Sequence, residues 1–298
     1  MTISKATIKG GTSRRCDAAG ARRLAGHLAL LAMSGAIVVA MRGGWAMGPA
    51  MLAHGIVLVS LFAGLHETIH RTAFRRRWIN DAVAAAIGFV HFLPAGHFRR
   101  FHGAHHRFVQ DPARDPERAF SAPATRAGYL LAVSGLPYWR SRAVELAGHA
   151  VGRAALSFVP PSARPAVIRE ARWHVAGWAG LAGLSIAFGW IWPLWLWLIP
   201  ALLGQPFLRL YLMAEHGGCA DTRDVRFNTR SVRTNALVRF LMWNMPFHIE
   251  HHAFPAVPFH ALPALHRRNV GKAAVHAKGY TAFHRGLWRG FAAPSPLG

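Results

Sequence analysis

Residues 47–70 read MGPAMLAHGIVLVSLFAGLHETIH, an apolar run that ends in a pair of histidines. Between Met47 and Leu65 only His54 and Ser60 interrupt the apolar side chains. A helix needs about 20 such residues to cross a bilayer core of roughly 30 Å, so the run reads as a membrane span. It carries straight on into His66-Glu67-Thr68-Ile69-His70. Residues four apart on a helix share a face, so His66 and His70 can aim two imidazoles at one point at the end of that span.

Outward from this stretch the pattern repeats. Residues 24–41 are apolar except for His27 and Ser34, and a Gly43-Gly44 turn joins them to the 47–65 run as an antiparallel hairpin. Residues 174–213 form a second pair, broken at Trp190-Ile191-Trp192-Pro193, where clustered Trp suits a membrane interface and Pro a helix start. The expectation is an all-α integral membrane protein with four transmembrane helices in two hairpins, at about 24–41, 47–65, 174–191 and 194–213. Turn 42–46 carries only Arg42 and turn 189–193 no charge, whereas the other Lys and Arg lie at or beyond the opposite helix ends, with Arg209 in the last turn of the fourth helix. The positive-inside rule then places both termini and a histidine-rich cap in the cytoplasm, and a bacterial inner membrane is the expected location.

The remaining segments are less apolar. Residues 81–96 are short and interrupted by His91 and Pro94, which predicts a re-entrant or interfacial helix, and 127–139 read similarly. Residues 140–172 mix Arg with apolar positions and are expected along the headgroups. Residues 1–20 are polar, basic and without an apolar stretch, and read as a disordered tail before a single membrane domain over 21–298.

Composition narrows the function. A net charge of +23 invites a nucleic-acid reading, but such folds carry no bilayer-length apolar runs, so no nucleic-acid partner is expected. Two cysteines, Cys16 and Cys219, exclude a disulfide framework and make thiolate metal sites improbable. Nineteen histidines are the anomaly. Beside His66 and His70 stand His102-Gly103-Ala104-His105-His106, with His97 upstream, and His248-Ile249-Glu250-His251-His252; His216 follows Glu215. In His-x-x-His-His the first imidazole shares a face with both later ones, so one helical turn can serve two neighbouring metals. Neutral imidazole suits iron, zinc, copper and nickel. Isolated histidines are usually hydrogen-bonded core residues, the reading given to His27, His54, His91, His149 and His174; His260, His266, His276 and His284 read as surface or loop positions. His97 stays open between ligand, supporting residue and neither. A rival reading takes His66-Glu67-x-x-His70 as the HExxH of a zinc-dependent membrane protease, with Glu67 as general base, although one zinc does not need two further histidine clusters.

These boxes, HxxxH, HxxHH and HxxHH around two apolar hairpins, resemble the membrane fatty acid desaturase and hydroxylase superfamily over roughly residues 24–266. The stretch Trp243-Asn244-Met245-Pro246-Phe247-His248-Ile249-Glu250-His251-His252-Ala253-Phe254-Pro255 is similar to bacterial members, as are His66–Arg71 and Asp111-Pro112 with Asp115-Pro116. The resemblance implies a membrane oxidoreductase with two iron ions and dioxygen as co-substrate. It also implies desaturation or hydroxylation at a C–H bond of a fatty acyl or other lipid-like substrate. It implies His66, His70, His102, His105, His106, His248, His251 and His252 as ligands, with His216 as the extra one. Asn244 lacks a counterpart in the motif and is read as orienting a ligand or holding a metal-bound water. The resemblance also implies an external electron donor of ferredoxin, rubredoxin or cytochrome type.

Overall fold

A computed structural model describes residues 14–119, 123–269 and 275–291. Among these the chain is an all-α membrane protein, apart from one two-residue parallel pair, Ser231–Val232 with His276–Ala277. Three helical stretches are long and apolar enough to span a bilayer. The first is α1 (Asp17–Ala40). The second, Met47–Ile69, comprises α2 (Met47–Ser60) and α3 (Phe62–Ile69), parted only at Leu61. The third, Leu194–His216, is a π-helical turn over Leu194–Leu198 leading into α9 (Ile199–His216).

Helices α4 (Arg77–Val90) and α5 (Ala95–Phe108) meet at 100° and together are apolar enough for a broken span or a re-entrant loop. The bend has a local cause. Phe92 takes a left-handed φ of 55°, and Pro94 caps α5 where it would break a continuing helix. Carbonyls freed at the end of α4 accept from two indoles, Val90 O from Trp197 Nε1 at 2.8 Å and Phe89 O from Trp178 Nε1 at 3.3 Å. Helices α6 (Arg126–Ser134) and α7 (Leu136–Ala150) cross over the same side. Then α8 (Arg164–Phe188) begins ten residues before the expected span. Its first half carries Arg164, Arg169, Glu170 and Arg172, so it is long but less apolar than the other three; its far end exposes Ile186 and Phe188. The chain finishes with the short helices α10 (Val225–Asn228), α11 (Ala236–Leu241), α12 (His248–Ala253), α13 (Leu262–Asn269) and α14 (Tyr280–Gly290).

Two boundaries differ from expectation. Helix α1 starts at Asp17, inside the stretch read as a tail; residues 1–13 lie outside the described residues. Asp17 accepts from the amides of Arg75 and Arg76, and Gly20 packs so closely that a Cβ there would stand 2.4 Å from Ala73 O. A local scan for polar residues does not register such long-range anchors. Helix α9 runs on to His216, so Arg209 lies two turns inside the helix and not in its last turn.

The central packing is α2 against α9. A Cβ on Gly204 would stand 2.3 Å from Gly55 O, and one on Gly55 would stand 2.1 Å from Pro200 O. Only glycine admits this backbone approach, the device by which membrane helices associate without a hydrophobic driving force. From this contact the two helices run side by side, 11 residues to His66 and 12 to His216, or roughly 17 Å at 1.5 Å per residue. At the other end, Arg42 stacks on Trp195 at 4.6 Å, and His54 bridges Ser34 Oγ (2.8 Å) and Leu196 O (3.0 Å). His27 lies 3.0 Å from Val57 O and accepts from Trp243 Nε1 at 3.2 Å. Both are hydrogen-bonded core histidines. Beneath the histidine-bearing end lies a core of Met242, Trp243, Leu208, Tyr211 and Phe259.

Candidate metal centre

Four elements deliver imidazoles to one place. Helix α3 brings His66 and His70, α5 brings His102, His105 and His106, α9 ends on His216, and α12 is a single turn and a half built around His248, His251 and His252. The nine divide into two groups. His66, His70, His102, His106 and His251 offer nitrogens within 4.8 Å of one another, as do His105, His216 and His252. His248 joins the second group, its Nε2 3.1 Å from those of both His216 and His252.

The division follows from helical geometry. His102 and His106, four apart, face the first group while His105 turns to the second; His248 and His252, four apart, face the second while His251 turns to the first. Each HxxHH box therefore contributes to both groups. His102 and His106 stand 2.9 Å apart at Nε2, His106 and His251 3.1 Å, and His105 and His216 3.2 Å. Adjacent ligands on one ion, with metal–nitrogen bonds of about 2.1 Å, stand about 3 Å apart. Both ring nitrogens of His66 and the Nε2 of His70 are buried without a hydrogen-bond partner. Buried orphan nitrogens are costly in a packed interior, and a metal ion removes that cost. The donor set thus fits two metal ions.

Protonation favours the same use. Burial first, then the charges of His105 and Arg99, lowers the pKa of His70 to about 4. Burial and neighbouring imidazoles hold His248, His251 and His252 well below the usual histidine range. Neutral imidazoles are the form that ligates metals.

Behind the imidazoles stand acceptors. Asp115 Oδ1 lies 3.0 Å from His105 Nδ1, Asn228 O 3.1 Å from His216 Nδ1, and Glu215 Oε1 3.2 Å from His248 Nδ1. Glu117 sits farther off, 3.5 Å from His102 Nδ1. Sequence reasoning did not assign these carboxylates to the site. The available signal was position: Asp115 and Glu117 follow the second box, and Glu215 precedes His216.

Other residues fall elsewhere. Glu67 is fully buried and turned away from the cluster, its Oε1 accepting from the Phe259 amide at 3.0 Å. Asn244 donates through Nδ2 to Phe259 O at 3.1 Å and makes no described hydrogen bond to a histidine of the cluster. Its left-handed φ of 61° instead shapes the turn that leads into α12. His97 is outside both groups, 2.6 Å from Glu145 and beside His149. His266 and His284, read as surface or loop positions, are anchored: His266 lies 2.7 Å from Glu250 Oε1, and His284 lies 2.9 Å from Leu210 O.

A cavity of about 690 Å³ opens onto this centre. His66, His102, His105, His216 and His248 form part of its wall. Phe62, Leu93, Phe98, Phe101, Leu131, Leu212 and Met242 line much of the rest. Such a chamber suits a largely apolar molecule presented to the imidazole cluster.

Among known families, the one described as fatty acid desaturase matches residues 43–284, a span that contains all nine histidines. No curated protein matches the chain.

Proposed function

The chain belongs to the fatty acid desaturase family, and we propose that it is a membrane oxidoreductase that oxidises a C–H bond of a fatty acyl or other lipid-like substrate, with dioxygen and two iron ions. His66, His70, His102, His106 and His251 would hold one ion; His105, His216, His248 and His252 would hold the other. When bound, the pair supplies the redox capacity to activate dioxygen for removal of hydrogen from carbon. The observation that carries the reading is the five-and-four division of nine buried or half-buried imidazoles, five of which line a cavity with a largely apolar wall.

The chain's own groups do the positioning. Asp115 and the Asn228 carbonyl accept from Nδ1 of His105 and His216, which fixes the tautomer and turns each Nε2 inward, and Glu215 stands 3.2 Å from His248 Nδ1 without an aligned hydrogen bond. The apolar part of the cavity wall, with Phe62, Leu93, Phe98, Phe101 and Met242, would hold the substrate's hydrocarbon beside the imidazoles. Reducing dioxygen to water takes four electrons and the substrate yields two, so an external donor of ferredoxin, rubredoxin or cytochrome type supplies the remainder. Lys and Arg asymmetry supports an orientation with the centre on the cytoplasmic side, in a membrane that would be a bacterial inner membrane, and α8 would be the fourth span of a two-hairpin arrangement. A zinc protease is not favoured, because the Glu67 carboxylate faces the Phe259 amide and not the imidazoles.

The test is metal analysis combined with mass spectrometry of lipids and metabolites from cells with and without the protein. Expected are about two irons per chain and a product formed only in air, two mass units lighter for desaturation or sixteen heavier for hydroxylation. One tight zinc per chain with no oxygen-dependent product would overturn the assignment.

A further inference from the structure

Arg209 is a cation placed where a membrane protein rarely keeps one. It lies inside the apolar stretch Leu194–His216 and lines the cavity. An arginine within a span is expensive unless it pairs or serves a ligand. The other cavity arginines with interior positions are paired: Arg142 with Glu145 and Arg118 with Asp221. Among the described residues, no carboxylate oxygen lies within 4.0 Å of Arg209. Its Nε is buried without a hydrogen-bond partner, and its guanidinium stacks 4.4 Å over the ring of Tyr138. The stacking orients the guanidinium, and Glu117 acts on its charge from beyond ion-pair distance, so no ion pair occupies its donors. The lining carboxylates lie nearer the histidines, Glu117 3.5 Å from His102 Nδ1 and 3.6 Å from His105 Nε2, and Glu215 3.2 Å from His248 Nδ1.

We propose that Arg209 receives the anionic head of the substrate, a carboxylate, inside the cavity. The inference rests on the reading that this cavity holds the substrate, and adds what the substrate carries. Arg209 and His216 are seven residues apart, so they share a face of α9 and lie roughly 10 Å apart along its axis. A carboxylate on Arg209 thus puts the metal centre within roughly eight carbon–carbon bonds of the head group. The substrate is an amphiphilic acid taken up whole, oxidised near its acid end, and not a long chain whose head group stays outside the cavity.

The experiment is tryptophan-fluorescence quenching of the full-length, iron-loaded protein by 12-bromododecanoic acid and by its methyl ester. The wild type should bind the acid tighter by roughly tenfold or more, the scale of a charge-assisted pair. Arg209→Gln should erase that preference and Arg209→Lys should keep part of it, both with unchanged iron content. Equal binding of acid and ester by the wild type overturns the proposal, and this comparison needs no variant to fold. The same preference in Arg209→Gln overturns it too. Dodecyl phosphate displacing the bromo acid better than dodecanoate does would overturn the carboxylate assignment. Binding requires no turnover, so failure of the oxidase reading would show separately, as acid preference without any oxygen-dependent product.

Discussion

Asp115 Oδ1 lies 3.0 Å from His105 Nδ1, on the side of that imidazole away from His216, whose Nε2 is 3.2 Å from His105 Nε2. The carboxylate is itself fixed by the amides of Gln110 (2.8 Å) and Glu117 (2.9 Å). A loop after the second histidine box therefore decides which nitrogen of His105 faces the second group. Asp115→Asn should weaken metal binding there by about 10–100-fold. Iron titration of the metal-free protein should show one site displaced and the other retained. Two unchanged sites would remove Asp115 from this role.

Glu67 and His70 separate the oxidase from the protease. His70→Ala should lose iron from the first group and abolish oxygen-dependent product. Glu67→Gln should keep measurable oxidase activity, because its side-chain oxygen can still accept from the buried Phe259 amide and Glu67 faces away from the imidazoles. A Glu67→Gln protein that holds one zinc and loses a peptidase activity present in the wild type would reverse the assignment.

The α2–α9 crossing should tolerate no side chain. Gly204→Ala places a methyl 2.3 Å from a backbone carbonyl, and overpacking of this kind costs ~1–3 kcal/mol. Gly183→Ala, on α8, meets nothing within 4 Å and serves as the comparison. Melting in detergent should fall for the first and hold for the second. Equal melting temperatures would mean that the helices do not approach this closely.

Acid should destabilise the metal-free protein. Burial lowers His70 to about 4, and His248, His251 and His252 are also held low. In the unfolded chain these histidines titrate near 6.5. Between those values the unfolded state binds more protons than the folded one, so stability falls as pH drops through about 6.5 toward 4. The metal-free melting temperature should therefore decline on acidification from about pH 7 to about pH 5 and be flat just above it. A rise over that interval would contradict the burial of these imidazoles.

Much of the architecture was legible because its signals are local. Run length marked 47–65 and 194–213, which fall inside the helical stretches Met47–Ile69 and Leu194–His216, and spacing by three and four put His102 on a face with both His105 and His106, and His248 with both His251 and His252. The third expected span was less clear, since α8 begins with charged residues that its apolar second half does not foretell. The start of α1 was misread as tail because Asp17 and Gly20 are anchored by residues 73–76, far away in sequence.

By itself, then, the sequence determined that eight imidazoles occur in three boxes with helical spacing, and that the first box, like His216, follows an apolar span, because hydropathy and the 3.6-residue period are properties of neighbouring residues. Only the tertiary structure decided which box member faces which group. His105 meets His216 across 111 positions and His251 meets His106 across 145. It also decided that Glu67 turns to the Phe259 amide, that Asp115 and Glu215 stand behind ligands, and that Arg209 reaches the cavity without a carboxylate beside it among the described residues. Those outcomes depend on how α2 and α9 cross at Gly55 and Gly204 and on where α5 and α12 dock against them. No local periodicity encodes these relations, because they arise from packing between segments distant in the chain.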